Sequence, residues 1–182
     1  MTFEAHRGTI ETKRGNEARL ASLYDEYYDR IARYAYACIR DKTEAEDIAS
    51  EVFLKALESL RTYQERGVPM QAWLFKIARN LVVDHVRKIA KHKAVPIDTV
   101  EVTDETDLEA TTEMNIELER VAVAMQGLTE EQREVLRLRF FGELTPREVG
   151  SLLHKSDGAV RQMQWTALEK LRQLLSESTP QG

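Results

Sequence analysis

Apolar residues recur at steps of three and four in three blocks of the first half of the chain. Between residues 18 and 40 they are Leu20, Leu23, Tyr24, Tyr27, Ile31, Tyr34 and Cys38, the stripe of an amphipathic helix. A second stripe, from Ala45 through Ile48, Ala49, Val52, Phe53, Ala56 and Leu57 to Leu60, begins at "TEAE", where Thr43 is placed to cap the helix and Glu46 to complete a capping box. The breaker "RGVP" precedes a third helix, from about Met70 to His92, with Trp73, Leu74, Ile77, Ala78, Leu81 and Val82 on its inward side.

The period then disappears. "AVPIDTVEVTDETDLEATTE", residues 94 to 113, is acidic and rich in threonine, the composition of an exposed linker. A helix over residues 114 to 126 leads to "GLTEEQREVLRLRFFG", where Thr129 and Gln132 form a capping box, Val135, Leu136 and Leu138 lie inward, and Gly142 marks the stop. "LTPREVGSLL" carries three start signals, Thr145 as cap, Pro146 at the first helical position and Glu148 completing the box. After "HKSD" a longer helix starts near Asp157. A short helix, a tight turn and a second helix are the layout of a helix-turn-helix.

The pattern predicts an all-α protein: two small helical domains joined by a flexible acidic linker, the C-terminal one containing the helix-turn-helix. The predicted boundaries are an N-terminal tail over 1–17, a first domain over 18–93, the linker over 94–113, a second domain over 114–175 and a C-terminal tail over 176–182.

Composition narrows the chemistry. The 182 residues are 42% hydrophobic, enough for packed cores, and no apolar run approaches the ~20 residues of a membrane span. The N-terminus has no apolar signal core, which predicts a cytoplasmic protein without membrane insertion. Cys38 is the single cysteine, so no internal disulfide can form, and its helical spacing from Ile31 and Tyr34 reads as a structural thiol rather than a redox sensor. His6, His85, His92 and His154 lack metal-ligand spacing, and neither a metal site nor a cofactor is expected.

A net charge of −5 argues against nucleic acid until its distribution is examined. From Arg61 to Lys93 eight lysines and arginines face only Glu65 and Asp84, whereas Ala94 to Glu119 holds nine carboxylates and no basic residue. A local basic stripe, not the net charge, is the footprint of nucleic-acid binding.

Three segments, "AEDIASEVFLKAL", "AWLFKIARNLVVDHVRK" and "LTPREVGSLLHKSDGAVRQMQWTALEKLR", in this order and separation, resemble the extracytoplasmic-function (ECF) sigma factors of the sigma-70 family. The likeness covers residues 18 to 93 and 114 to 175. It implies a bacterial initiation factor without catalytic chemistry. Such a factor binds core RNA polymerase through the largest-subunit coiled coil and the beta flap, recognises −35 and −10 promoter DNA, and serves a stress or envelope-response regulon. An anti-sigma factor is a further implied partner.

By this resemblance Asp47, Glu51, Phe53, Leu54 and Glu58 dock on the polymerase; by residue type alone the same face reads as ordinary solvated surface. Lys76, Arg79, Asn80, Arg87 and Lys88 of the third helix grip the −10 strand, with Tyr63 in the preceding loop stacking on a flipped base. Trp73 reads as core before it reads as a base platform, and Asp84 as a salt-bridge partner of Arg87 or Lys88. The linker is a tether, and by resemblance it also threads the polymerase channels.

In the last helix Val160, Met163, Ala167, Leu171 and Leu174 form the core stripe. Gln164 faces partly inward where related sigma factors carry an aliphatic residue, and is expected to bond within the domain. Arg161 suits guanine, Gln162 adenine and Trp165 a thymine methyl, with Arg147, Ser156 and Thr166 completing the −35 set. Met163 and Thr166 stand where many relatives carry arginine, which reduces phosphate contacts. A self-sufficient helix-turn-helix regulator would need a dimer seam or sensing domain, and a serine recombinase an α/β catalytic domain; neither is visible. A sigma-shaped interaction protein without initiation activity stays open.

Overall fold

The computed structural model describes residues 2–60, 69–93 and 120–177, and every regular element among them is helical. Their contacts divide the chain into two units, one built on the first three helices and one on the last four. The acidic linker and Tyr63 lie outside the described residues.

In the first unit α1 spans Thr2–Ile39, α2 Lys42–Ser59 and α3 Met70–Lys93, and each packs on the other two. The helix α1 therefore runs back through the residues expected to form an N-terminal tail. Its inward line is Leu20, Leu23, Tyr27, Ile31 and Tyr34; Tyr24, expected on the same stripe, is 45% exposed, and Cys38 is half-buried. The fully buried Tyr34 and Phe75 rings meet edge to face at 5.8 Å, and Tyr27 meets Phe75 at 6.4 Å, so α1 and α3 are locked by aromatic contacts worth about 1 kcal/mol each beyond area burial.

Arg40, at φ 60°, turns the chain out of α1, and α2 starts at once. Its N-cap is Asp41, whose Oδ1 accepts the Glu44 amide at 2.9 Å, rather than the expected Thr43. An aspartate beside the first helical residue wins because its carboxylate both accepts the amide and meets the positive end of the helix dipole.

In α3 the buried line is Met70, Leu74, Phe75, Ala78 and Val82. Trp73, Ile77 and Leu81, expected inward, are only half-buried, because the stripe is centred between Phe75 and Val82 and leaves them on its flank. Beyond His85 the helix outruns the bundle: from Val86 to Lys91 every side chain is exposed.

The second unit comprises α4 (120–126), α5 (Glu130–Leu136), a wider π-type turn (Arg137–Phe141), α6 (Pro146–Leu153) and α7 (Asp157–Glu177). Both expected capping boxes form, Thr129 with Gln132 and Thr145 with Glu148, with Pro146 opening α6. Arg133 donates to the carbonyls of Gln126 and Leu128, satisfying the end of α4. The π-type turn ends one residue before Gly142, the expected stop.

His154 closes α6 in the left-handed region at φ 55°, and the chain enters α7 three residues later. Gly150 makes that turn possible: a Cβ there would lie 2.6 Å from the Lys155 carbonyl oxygen, a backbone atom that cannot swing aside. Gly150→Ala should therefore cost about 1–3 kcal/mol of stability, in the range of core overpacking. Urea denaturation of the full chain checks this, and an unchanged midpoint would show that the turn can open.

Candidate nucleic-acid and partner interfaces

The faces left free by packing follow from helix geometry. With the fully buried Ala49 as zero and about 100° per residue, Asp47, Glu51 and Glu58 fall within about 20° of the opposite direction. All three are exposed and form an acidic ridge along α2. Leu54, 62% exposed, stands beside the ridge. Phe53 does not join this set: it is 7% exposed, its ring 4.8 Å from that of Tyr24, because its position lies only about 40° from Ala49.

Two grooves flank the ridge. On the α1 side Leu20, Ala21 and Tyr24 face Ser50, Phe53, Leu54 and Leu57 across an apolar groove of about 470 Å³. On the α3 side a polar groove of about 550 Å³ has Glu44, Asp47, Glu51 and Lys55 on one wall and Asp84, His85, Arg87, Lys88 and Lys91 on the other. Within it Glu44 Oε2 lies 3.4 Å from His85 Nδ1, Glu51 pairs with Lys55 at 3.3 Å and Asp84 with Arg87 at 3.9 Å. The last is the salt bridge expected of Asp84. Being largely solvated, these pairs order side chains more than they stabilise the fold.

The basic residues of α3 divide in the same way. Opposite Ala78 lie Lys76, Asn80 and Arg87, exposed and within about 20° of one line. Arg79 is about 80° from that line and half-buried, and Lys88 is turned toward α2 on the groove wall. Trp73 falls about 20° from Asn80, which places a half-buried indole at the edge of the polar line instead of in the core.

On α7 two residues of the expected core stripe, Val160 and Ala167, are fully buried, and Met163, Leu171 and Leu174 are half-buried. Arg161, Gln162 and Trp165 are exposed, the indole by 61%, and Arg147 is exposed at the start of α6. Arg161 donates to Asp157 Oδ2 at 2.9 Å, which aims the guanidinium along the first turn. Ser156 and Thr166 are less available than their residue types suggested. The Ser156 hydroxyl oxygen accepts the Ala159 amide at 3.1 Å as the cap of α7, and the Thr166 hydroxyl donates back to the Gln162 carbonyl at 3.0 Å. Gln164 does bond within the domain, accepting from Arg139 Nε at 2.8 Å.

Sequence reasoning missed both grooves, because each is made of two helices and no single stripe announces it. The Glu44–His85 pair had the same concealment. The Asp41 cap was readable: "DKTE" is itself a cap pattern, one that "TEAE" obscured.

The fold and these surfaces define a two-domain, all-α protein of the helix-turn-helix class, and among the described residues no helix is long and apolar enough to cross a membrane. The family described as Sigma-70 region 2 matches residues 23–92, and Sigma-70 region 4 matches residues 124–173. The ECF RNA polymerase sigma factor SigD of Mycobacterium bovis is 30% identical over 182 residues, 94% of this chain and 85% of its own. The ECF RNA polymerase sigma factor BldN of Streptomyces coelicolor is 34% identical over 173 residues, covering 92% of this chain but only 65% of BldN. Among solved structures, CnrH in complex with the cytosolic domain of CnrY has the same fold, with a TM-score of 0.67 and 23% identity over 94% of this chain and 96% of that one. The chain belongs to the ECF sigma factors of the sigma-70 family.

The separation of Phe53 from its exposed neighbour is open to measurement. Phe53→Ala should cost about 3 kcal/mol or more in urea denaturation, as truncation of a buried aromatic ring does. Leu54→Ala should stay within about 0.5 kcal/mol. Equal costs would mean that both side chains belong to the core.

Proposed function

We propose that the protein is an alternative sigma factor that binds core RNA polymerase, recognises −35 and −10 promoter elements and directs transcription initiation in the cytoplasm. The reading includes a stress or envelope-response regulon and no catalytic role. The observation that carries it is the segregation of charge over two neighbouring helices: an acidic ridge on α2 beside a separate Lys76, Asn80 and Arg87 line on α3. One helix thus offers carboxylates and Leu54 to a basic protein helix, while the next offers cations and an amide to a nucleic-acid strand.

In this reading Asp47, Glu51, Leu54 and Glu58 meet the coiled coil of the polymerase's largest subunit, and the second domain meets the beta flap. Lys76, Asn80 and Arg87 hold the −10 strand, with Arg79 and Lys88 in flanking roles and Tyr63 in the loop. On α7 Arg161 and Gln162 read base edges, Trp165 packs on a thymine methyl or sugar, and Arg147 holds a phosphate. Ser156 and Thr166 contribute by shaping the helix that carries them. An anti-sigma factor belongs to the same proposal, tested by co-purification from the native host.

A second reading, a sigma-shaped interaction protein without initiation activity, is favoured by one observation: Arg161, the basic residue at the front of α7, is already paired with Asp157. Adding the protein to core polymerase with a genomic promoter library separates the two. Failure to bind core would overturn the sigma reading, and binding without initiation would favour the second. Arg161→Ala should relax −35 preference by about 1–3 kcal/mol at one base pair, whereas Lys76→Ala should weaken all sequences alike and lower the salt slope by about 1. Equal, sequence-independent losses from both would contradict the assignment.

A further inference from the structure

An amide in the apolar stripe of α7 calls for an explanation. Gln164 is half-buried, about 40° from Val160 on a face otherwise made of Val160, Met163, Ala167 and Leu171. A buried amide is tolerated where its hydrogen bonds are met, and here the partner is a cation. Arg139, half-buried in the π-type turn, donates Nε to Gln164 Oε1 at 2.8 Å. The same guanidinium donates to the Leu144 carbonyl, which lies one residue before the Thr145 cap of α6. One planar group therefore ties three places together: the end of the α5 segment, the chain entering α6, and the middle of α7.

We propose that Gln164 and Arg139 are positioning residues for promoter reading: their bond fixes the rotation of α7 about its own axis and so the direction in which Arg161, Gln162 and Trp165 are presented. The inference rests on the promoter-reading role of α7 given above. Apolar contacts alone are non-directional and allow a helix to rotate and slide by small amounts. A charge-assisted bond from a planar fork is directional, and it acts here at the residue beside Trp165 and three after Arg161. Base readout needs such control, since a bidentate contact depends on the angle of approach as well as the distance. Neither Arg139 nor Gln164 needs to touch DNA.

The test is sequence selection by the full-length protein bound to core polymerase, from a duplex library randomised over the −35 window, with thermal unfolding of each variant alongside. Gln164→Leu leaves Arg139 Nε without its acceptor and should lower the unfolding midpoint modestly while the protein still folds, and it should lower discrimination between best and mismatched sites roughly tenfold, the equivalent of one lost base contact. Gln164→Glu keeps the acceptor and should retain wild-type discrimination. Arg139→Lys keeps the charge but not the fork, and should lose discrimination as Gln164→Leu does; it decides the matter if Gln164→Leu fails to fold.

Wild-type discrimination in both folded Gln164→Leu and Arg139→Lys would overturn the inference and leave promoter reading intact. A uniform loss of affinity with the ratio between sites preserved would overturn it too, reducing the pair to a stabilising role. Absence of selection by the wild-type protein would overturn the promoter-reading proposal itself, a result distinct from either.

Discussion

Everything that this protein offers to partners depends on a limit of helix geometry: a helix in a small bundle buries one stripe, and the remaining circumference stays in water. The Tyr34 and Phe75 rings illustrate the buried side of that limit. Both are fully enclosed, they fix the approach of α1 and α3, and with α2 they form a core in which Ala45, Ala49 and Ala56 leave room for close packing. Because the core takes so narrow a stripe, the outer faces of α2 and α3 are free to specialise. One collects carboxylates and the other collects lysine, arginine and asparagine, with a polar groove where the two meet.

The second domain reaches the same end with less material. Its α5 and α6 are only seven and eight residues long, and helices of this length are not stable by propensity alone. Termination and capping carry more of the load: two capping boxes, Pro146 at the start of α6, and His154 in the left-handed region at its end. Gly150 lets the turn close tightly, and Arg139 and Arg133 satisfy carbonyls at two otherwise open junctions. Polar bonds thus hold the frame, and Arg161, Gln162 and Trp165 are left exposed on the front half of α7.

How much of this could be read from the chain alone varied with how local the determinant is. The two capping boxes and the core stripe of α7 depend on residues within one turn or one helix, and the sequence displays them. Gln164 announced that it needed an internal partner, but Arg139 lies 25 positions away in a π-type turn that no periodicity marks. Phe53 and Tyr24 show the same limit. The helical period puts both on inward stripes, and only their meeting across α1 and α2 makes Phe53 the floor and Tyr24 the rim of a groove. In α3 the stripe was placed one flank away from its true centre, which put Trp73 inside when it is half-buried on the flank.

The portion of α3 that outruns the bundle has a mechanical meaning. From Val86 to Lys91 every side chain is exposed, and the helix continues past its last buried residue, Val82, as a stiff arm with Arg87, Lys88 and Lys91 on the wall of the polar groove opposite α2. Five residue steps of helix add about 8 Å of stiff reach. Arg87, Lys88 and Lys91 are therefore carried as one unit on a single stiff rod, and its direction is set at the root, where Glu44 Oε2 lies 3.4 Å from His85 Nδ1.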